Sequence, residues 1–118
     1  MRIHVIDKNQ NDAEILTSRI SLGLGDCFDS LDCYNTWHEF SANELVVDQD
    51  TVVFCPAPLI SGSIYTDLIS ELIYKKVCVI LYHTNCDFTI QAIKMGVYDY
   101  IIKPFEDSEL KDCFQRLN

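Results

Sequence analysis

Thr51-Val52-Val53-Phe54-Cys55 is a β-branched and apolar run, with the acidic turn Asp48-Gln49-Asp50 before it and Pro56 and Pro58 after it. Apolar residues at consecutive rather than alternate positions mark a strand covered on both faces, and such a strand needs helices above and below its sheet. The two prolines are expected to end the strand at Cys55. Ile3-His4-Val5-Ile6 is a second short strand ending at Asp7. The polar run Lys8-Asn9-Gln10-Asn11-Asp12 then makes a loop and a helix cap. The helix that follows carries Ile15, Leu16, Ile20 and Leu24 toward the core, and Gly23 and Gly25 are expected to stop it.

Residues 27–34 alternate weakly and read as a strand. Thr36 caps a helix with Trp37, Phe40 and Leu45 on one side. Residues 61–74 place Ile64, Leu68, Ile69, Leu72 and Ile73 at helical spacing, and 77–82 form a strand. Residues 87–95 form a helix stopped by Gly96, 99–102 a strand and 108–117 a last helix. Strands alternating with helices about a dozen residues long predict right-handed crossovers and a parallel sheet, with five elements of each kind.

With 118 residues, 48% of them hydrophobic, residues 1–118 fit one domain around one core. A formal net charge of −9 argues against direct nucleic-acid binding, which draws its affinity from basic side chains displacing phosphate counterions. Lys75-Lys76 reads as a solvated helix end. The six cysteines, Cys27, Cys33, Cys55, Cys78, Cys86 and Cys113, follow no framework spacing, and Met1 leads straight into a strand. A reduced, cytoplasmic protein is the expectation. There is no Cys-x-x-Cys and the three histidines are scattered, so spacing supports neither a zinc site nor another metal. The apolar runs are too short to cross a bilayer.

The run Gly96-Val97-Tyr98-Asp99-Tyr100-Ile101-Ile102-Lys103-Pro104-Phe105, followed by Glu109-Leu110, reads as a helix stop, a buried strand and a lysine held before a proline. It closely resembles the end of a receiver domain of two-component response regulators, the CheY-like family. The resemblance covers essentially the whole chain, with its tightest motif match in the last third. It implies a flavodoxin-like three-layer sandwich, with five parallel strands in the order 2-1-3-4-5 and five helices. In such a sheet the chemistry gathers at the carboxyl ends of the strands, where Asp7, Cys55, the Tyr82-His83-Thr84 run and Lys103 fall. In the family, the lysine matched by Lys103 reaches a phosphorylated aspartate, and the aromatic at Tyr100 swings between states.

Other motifs of the family are eroded. Where receivers carry two adjacent acids that hold magnesium, this chain has Asp7-Lys8. One carboxylate beside an ammonium makes a poor magnesium site, so no metal is expected. The acceptor slot falls on Cys55 when aligned from the strand, or on Phe54 when aligned backward from Pro58 and Gly62, and neither is an aspartate. Asp50 lies ~15 Å too early along the strand to replace it. Thr84 or His83 fills the hydroxyl slot after the fourth strand.

Each of these residues also has a structural reading. Asp7 pairs with Lys103 or Lys8, Lys103 needs a counter-charge in any case, and Cys55 is a packed thiol. As a nucleophile Cys55 lacks the arginine six residues on that a cysteine phosphatase needs, because that position is Ser61. Tyr98 and Tyr100 either fill the core edge or form a contact surface.

The expectation is a pseudo-receiver, not an enzyme and without a cofactor. It would act by protein–protein contact through the face built from the fourth helix, fifth strand and fifth helix. The partner would be another protein, an attached output domain or a second copy. The resemblance implies a bacterial cytoplasmic regulator, the amino-terminal piece of a longer chain with a transcription-regulating output. Two rival readings stand beside it. One is a phosphorelay acceptor using Cys55, His83 or Thr84. The other is a small-molecule or flavin module, against which the loop of residues 8–12 lacks the hydroxyl- and glycine-rich composition that binds a flavin phosphate.

Overall fold

The computed structural model describes residues 1–25, 27–42, 50–57, 64–84 and 87–117. Its strands are β1 (Arg2–Ile6), β2 (Ser30–Tyr34), β3 (Thr51–Pro56), β4 (Cys78–His83) and β5 (Asp99–Ile102). The helices between and after them are α1 (Gln10–Leu24), α2 (Trp37–Ala42), α3 (Ile64–Tyr74), α4 (Thr89–Met95) and α5 (Asp107–Leu117). All strand pairs are parallel and the sheet order is β2-β1-β3-β4-β5. This is the expected flavodoxin-like order, in which the chain starts at β1, reverses after β2 and builds outward through β5.

Alternate residues of the central strands feed two cores. Ile3, Val5, Val52, Phe54, Ile80, Tyr82 and Ile101 pack with α1 and α5 through Leu16, Ile20, Leu110 and Phe114. Ile6, Val53, Cys55, Val79 and Leu81 pack on the opposite face with Phe40, Ile69, Leu72 and Ala92 from α2, α3 and α4. The consecutive apolar residues of β3 are therefore explained by a core on each side of the sheet.

Local chemistry sets the element ends. Asn9 caps α1, its side chain accepting the Asp12 N–H at 3.1 Å. Thr36 Oγ1 accepts the Glu39 N–H at 3.1 Å while Glu39 reaches back to the Asn35 N–H at 3.1 Å, a reciprocal cap that starts α2. Gly96 closes α4 at φ 93°, a left-handed conformation in which its N–H returns to the carbonyls of Ala92 and Ile93.

Four expectations change. Ile15 is 39% exposed, because the buried stripe of α1 is Ala13, Leu16, Ile20 and Leu24, one position away from it. Gly23 lies inside α1 rather than ending it, and only Gly25, at φ 57°, is the terminator. The 27–34 strand begins only at Ser30. Pro56 belongs to β3: the Ala57 N–H continues the ladder to the Tyr82 carbonyl, so the proline nitrogen faces the β1 side. Pairing with β1 has already ended there, at Val5–Phe54, so no ladder bond is lost. Leu45, the turn at Asp48 and Gln49, Pro58, Ser61, Gly62 and Cys86 lie outside the described residues.

Candidate functional site

The carboxyl ends of β1, β4 and β5 converge on a small polar cluster at the edge of the α1/α5 core. Asp7 follows β1 directly, and its N–H donates to the Tyr34 carbonyl at 3.0 Å, extending the β1–β2 ladder by one bond. Its carboxylate is buried, with the residue 4% exposed. Both oxygens are occupied: Oδ1 accepts the Asn9 N–H at 2.8 Å and Oδ2 accepts the Tyr82 hydroxyl at 2.9 Å. Two donors, one of them a phenol brought from β4, compensate the burial of a charge that would otherwise be costly.

Lys103 follows β5, and its N–H donates to the His83 carbonyl at 2.7 Å, which continues the β4–β5 ladder past Ile102. The Lys103–Pro104 peptide is cis. The ammonium bonds Asp12 Oδ2 at 2.8 Å and stands 5.5 Å from the centre of the Tyr82 ring. The expected Lys103–Asp7 pair is therefore not made. Asp12, in the first turn of α1, can swing its carboxylate over the helix start to meet the lysine, while Asp7 is held below by Tyr82 and Asn9. Nor does Asp7 pair with Lys8, which is exposed.

The two acceptor-slot residues part company. Phe54 is fully buried on the same face as Val5 and Tyr82, its ring 6.5 Å from that of Phe114. Cys55 is equally buried but faces the opposite core, beside Val53 and Leu81. Phe54, and not Cys55, shares the face of Asp7's partner Tyr82. Cys55, separated from Lys103 by the sheet, is a packed thiol. His83 ends β4 half-exposed, and the exposed Thr84 hydroxyl is 3.4 Å from its Nδ1.

Two residues of the cluster carry roles that the linear reading did not assign. Tyr82 stood in an apolar strand run, yet a phenol buried at a strand end needs an acceptor, and the acid ending β1 was the available one. Asp12 read as part of a solvated loop and cap. Its pairing depends on how the start of α1 and the end of β5 approach each other in space, which local pattern does not encode. Among the described residues no cluster of three or more acidic, cysteine or histidine side chains is arranged to hold a metal ion.

Beyond the crevice, Tyr98 is 41% exposed and donates its hydroxyl to the Arg116 carbonyl at 2.7 Å, while Arg116 also bonds Asp99. These contacts tie β5 to α5. Burial raises the Tyr98 phenol above its ordinary pKa. Tyr100 is half-buried against the α2–α4 core. On α4, Ile90 and Ile93 are each 68% exposed. Cys113 is on the buried side of α5, where burial pushes its thiol up to about 12, which disfavours the nucleophilic thiolate at neutral pH. No helix among the described residues is long and apolar enough to cross a membrane.

No protein-family model matches the chain, and no curated protein matches it. Solved structures do. The response regulatory domain of protein mrkE from Klebsiella pneumoniae is 16% identical with a TM-score of 0.76, over 99% of this chain and 94% of that one. A response regulator receiver protein from Pseudoalteromonas atlantica is 19% identical with a TM-score of 0.72, covering 99% and 96%. The response regulator DrrB of Thermotoga maritima, an OmpR/PhoB homologue, is 21% identical with a TM-score of 0.71. The match covers 98% of this chain but only 51% of DrrB, so the chain spans about half of that regulator's length. At these identities it is the backbone that is shared: this chain has the fold of the CheY-like receiver domains of response regulators.

Proposed function

We propose that the chain is a pseudo-receiver, a regulatory domain with the receiver fold that acts by protein–protein contact and not by phosphorylation. The observation that carries this reading is the closed state of the crevice. Both oxygens of Asp7 are taken by Tyr82 and Asn9, and the Lys103 ammonium by Asp12. At the end of β3, on either alignment, the slot that a receiver fills with an aspartate falls on a buried side chain without a carboxylate, Phe54 against Phe114 or Cys55 in the opposite core. A metal-bound phosphoryl group needs acidic ligands and a nucleophile there, and the side chains present supply internal hydrogen bonds instead.

The contact surface in this reading is the α4-β5-α5 face, where Ile90, Ile93 and Tyr98 are exposed beside the Tyr98–Arg116–Asp99 bonds. Its occupant would be an attached output domain, a separate protein or a second copy. A bacterial cytoplasmic setting, control of transcription, and the absence of enzymatic activity and of a cofactor belong to the same proposal. The rival reading, phosphoryl acceptance by an unusual residue, rests on His83, which ends β4, on Thr84 after it, and on Cys55, which is buried in the opposite core.

Acetyl phosphate with magnesium is expected to leave the intact mass unchanged, and beryllofluoride to leave the backbone NMR shifts unchanged. A stoichiometric gain of one phosphoryl group would overturn the proposal in favour of the rival. Restoring the chemistry should take Phe54→Asp together with Lys8→Asp. Cys55→Asp should only destabilise, since it drives a carboxylate into the α2–α4 core.

A further inference from the structure

His4 sits in the middle of β1 with 2% exposure, on the sheet face that packs against α2. Its ring lies 5.7 Å from Tyr34 and 5.4 Å from Phe40, and Phe40 in turn lies 5.4 Å from Tyr34 and 5.9 Å from Trp37. Its Nδ1 has no hydrogen-bond partner. A neutral imidazole fits such surroundings because it keeps one nitrogen without a proton. The imidazolium carries two N–H donors and a charge, and would have to give up hydration for an aromatic wall.

The groups around the ring do not offset that loss. Asp32, paired opposite His4 on β2, favours the charged form, and Arg2 on the same strand disfavours it. Burial outweighs both and lowers the imidazole pKa from its ordinary value. Tyr34 is a neutral phenol here, its own pKa raised by burial. β3 presents Val53 opposite His4, and α2 presents the Phe40 ring. The rings meet at tilted or edge-on angles of 41° and 67°.

We infer that His4 is an acid-sensitive latch: protonation of its imidazole lifts α2 off the sheet, carrying Phe40 and Trp37 with it, while β1, β3, β4 and β5 stay paired. α2 is the element that can yield, since its Phe40 ring rests on the His4 and Tyr34 rings that protonation disturbs, whereas the strands are tied by ladders on one or both sides. Hydration of the imidazolium then compensates for the aromatic packing that is lost. The inference is independent of the proposed function, since neither Asp7 nor Lys103 takes part in it.

Amide hydrogen exchange on the whole chain between pH 7.5 and 5.5, corrected for intrinsic rates, tests it. The Phe40 amide and its neighbours in α2 should be less protected than those of β4. Their open population should grow toward about tenfold per pH unit below the ordinary histidine pKa. Emission from Trp37, the single tryptophan of the chain, should shift to longer wavelength ahead of any loss of far-UV circular dichroism. In His4→Phe and His4→Leu the pH response of α2 should vanish. Equal protection of α2 and β4 at every pH would mean that α2 opens only with the whole molecule, and would overturn the inference. So would a pH response that persists in both variants.

Discussion

Lys103 shows how strongly one contact depends on the exact approach of two elements. Its ammonium and the Asp12 carboxylate are 2.8 Å apart, with side chains 20% and 23% exposed. A pair this sheltered is worth more than a surface ion pair, and each partner leaves the other uncompensated when removed. Lys103→Ala should therefore cost about 1–2 kcal/mol. Asp12→Ala should cost slightly more, because a carboxylate in the first turn of α1 also interacts with the helix dipole, by about 0.3–1 kcal/mol. Denaturant unfolding of the two single variants and the double variant should give a coupling energy of roughly 1 kcal/mol. The same cycle run on Lys103 and Asp7 should give a smaller value, since no direct bond joins them. A larger coupling to Asp7 than to Asp12 would show that the lysine reaches the buried acid in solution.

At the scale of elements, the packing of α1 on α5 turns on Gly23. A Cβ built there would stand 2.5 Å from Cδ2 and 2.6 Å from Cε2 of Phe114. That ring is buried, 4% exposed, and packs edge-on against Phe54. Two effects oppose each other in Gly23→Ala. Alanine is a better helix former by about 1 kcal/mol, whereas overpacking a filled core costs about 1–3 kcal/mol. Packing should win, and thermal denaturation should show a lower midpoint for Gly23→Ala. Phe114→Leu in the Gly23→Ala background should recover part of the loss, because the shorter side chain removes the clashing ring edge. An increase in stability on Gly23→Ala alone would show that α5 can shift outward at little cost.

For the whole molecule, the two cores make stability depend on pH through His4. Its folded pKa lies below the ordinary value of 6.5, so between those two values the unfolded chain holds the extra proton. Stability is therefore complete above about pH 6.5 and falls as the pH drops toward the folded pKa, by at most about 1.4 kcal/mol per pH unit. Guanidinium midpoints measured from pH 7.5 to 5.5 should decline along this curve in the native sequence. In His4→Phe the decline over the same window should be clearly smaller. An identical decline in both would assign the acid sensitivity to the carboxylates instead.

What the chain's order of residues determined was the architecture. Apolar runs at Ile3–Ile6-like spacing, the doubly covered Thr51-Val52-Val53-Phe54-Cys55 and the Gly96 stop are local patterns, each set by hydrogen bonding and burial within a few residues, and they sufficed for a parallel five-stranded sheet with helices on both faces. That Lys8 follows Asp7 and that residues 51–57 contain no acid was equally plain from the residues. Only the tertiary structure decided which side chains meet. Because successive side chains of a strand leave on opposite faces, Phe54 and Cys55, adjacent in the chain, enter different cores. Asp7 took a hydroxyl from Tyr82, 75 residues away, and Lys103 took Asp12 in place of Asp7. Gly23, which read as a helix end, became the close approach of two helices because Phe114 lies across it. Partnerships of this kind depend on the tilt of α1 and α5 over the sheet, a property of the summed packing that no stretch of a dozen residues contains.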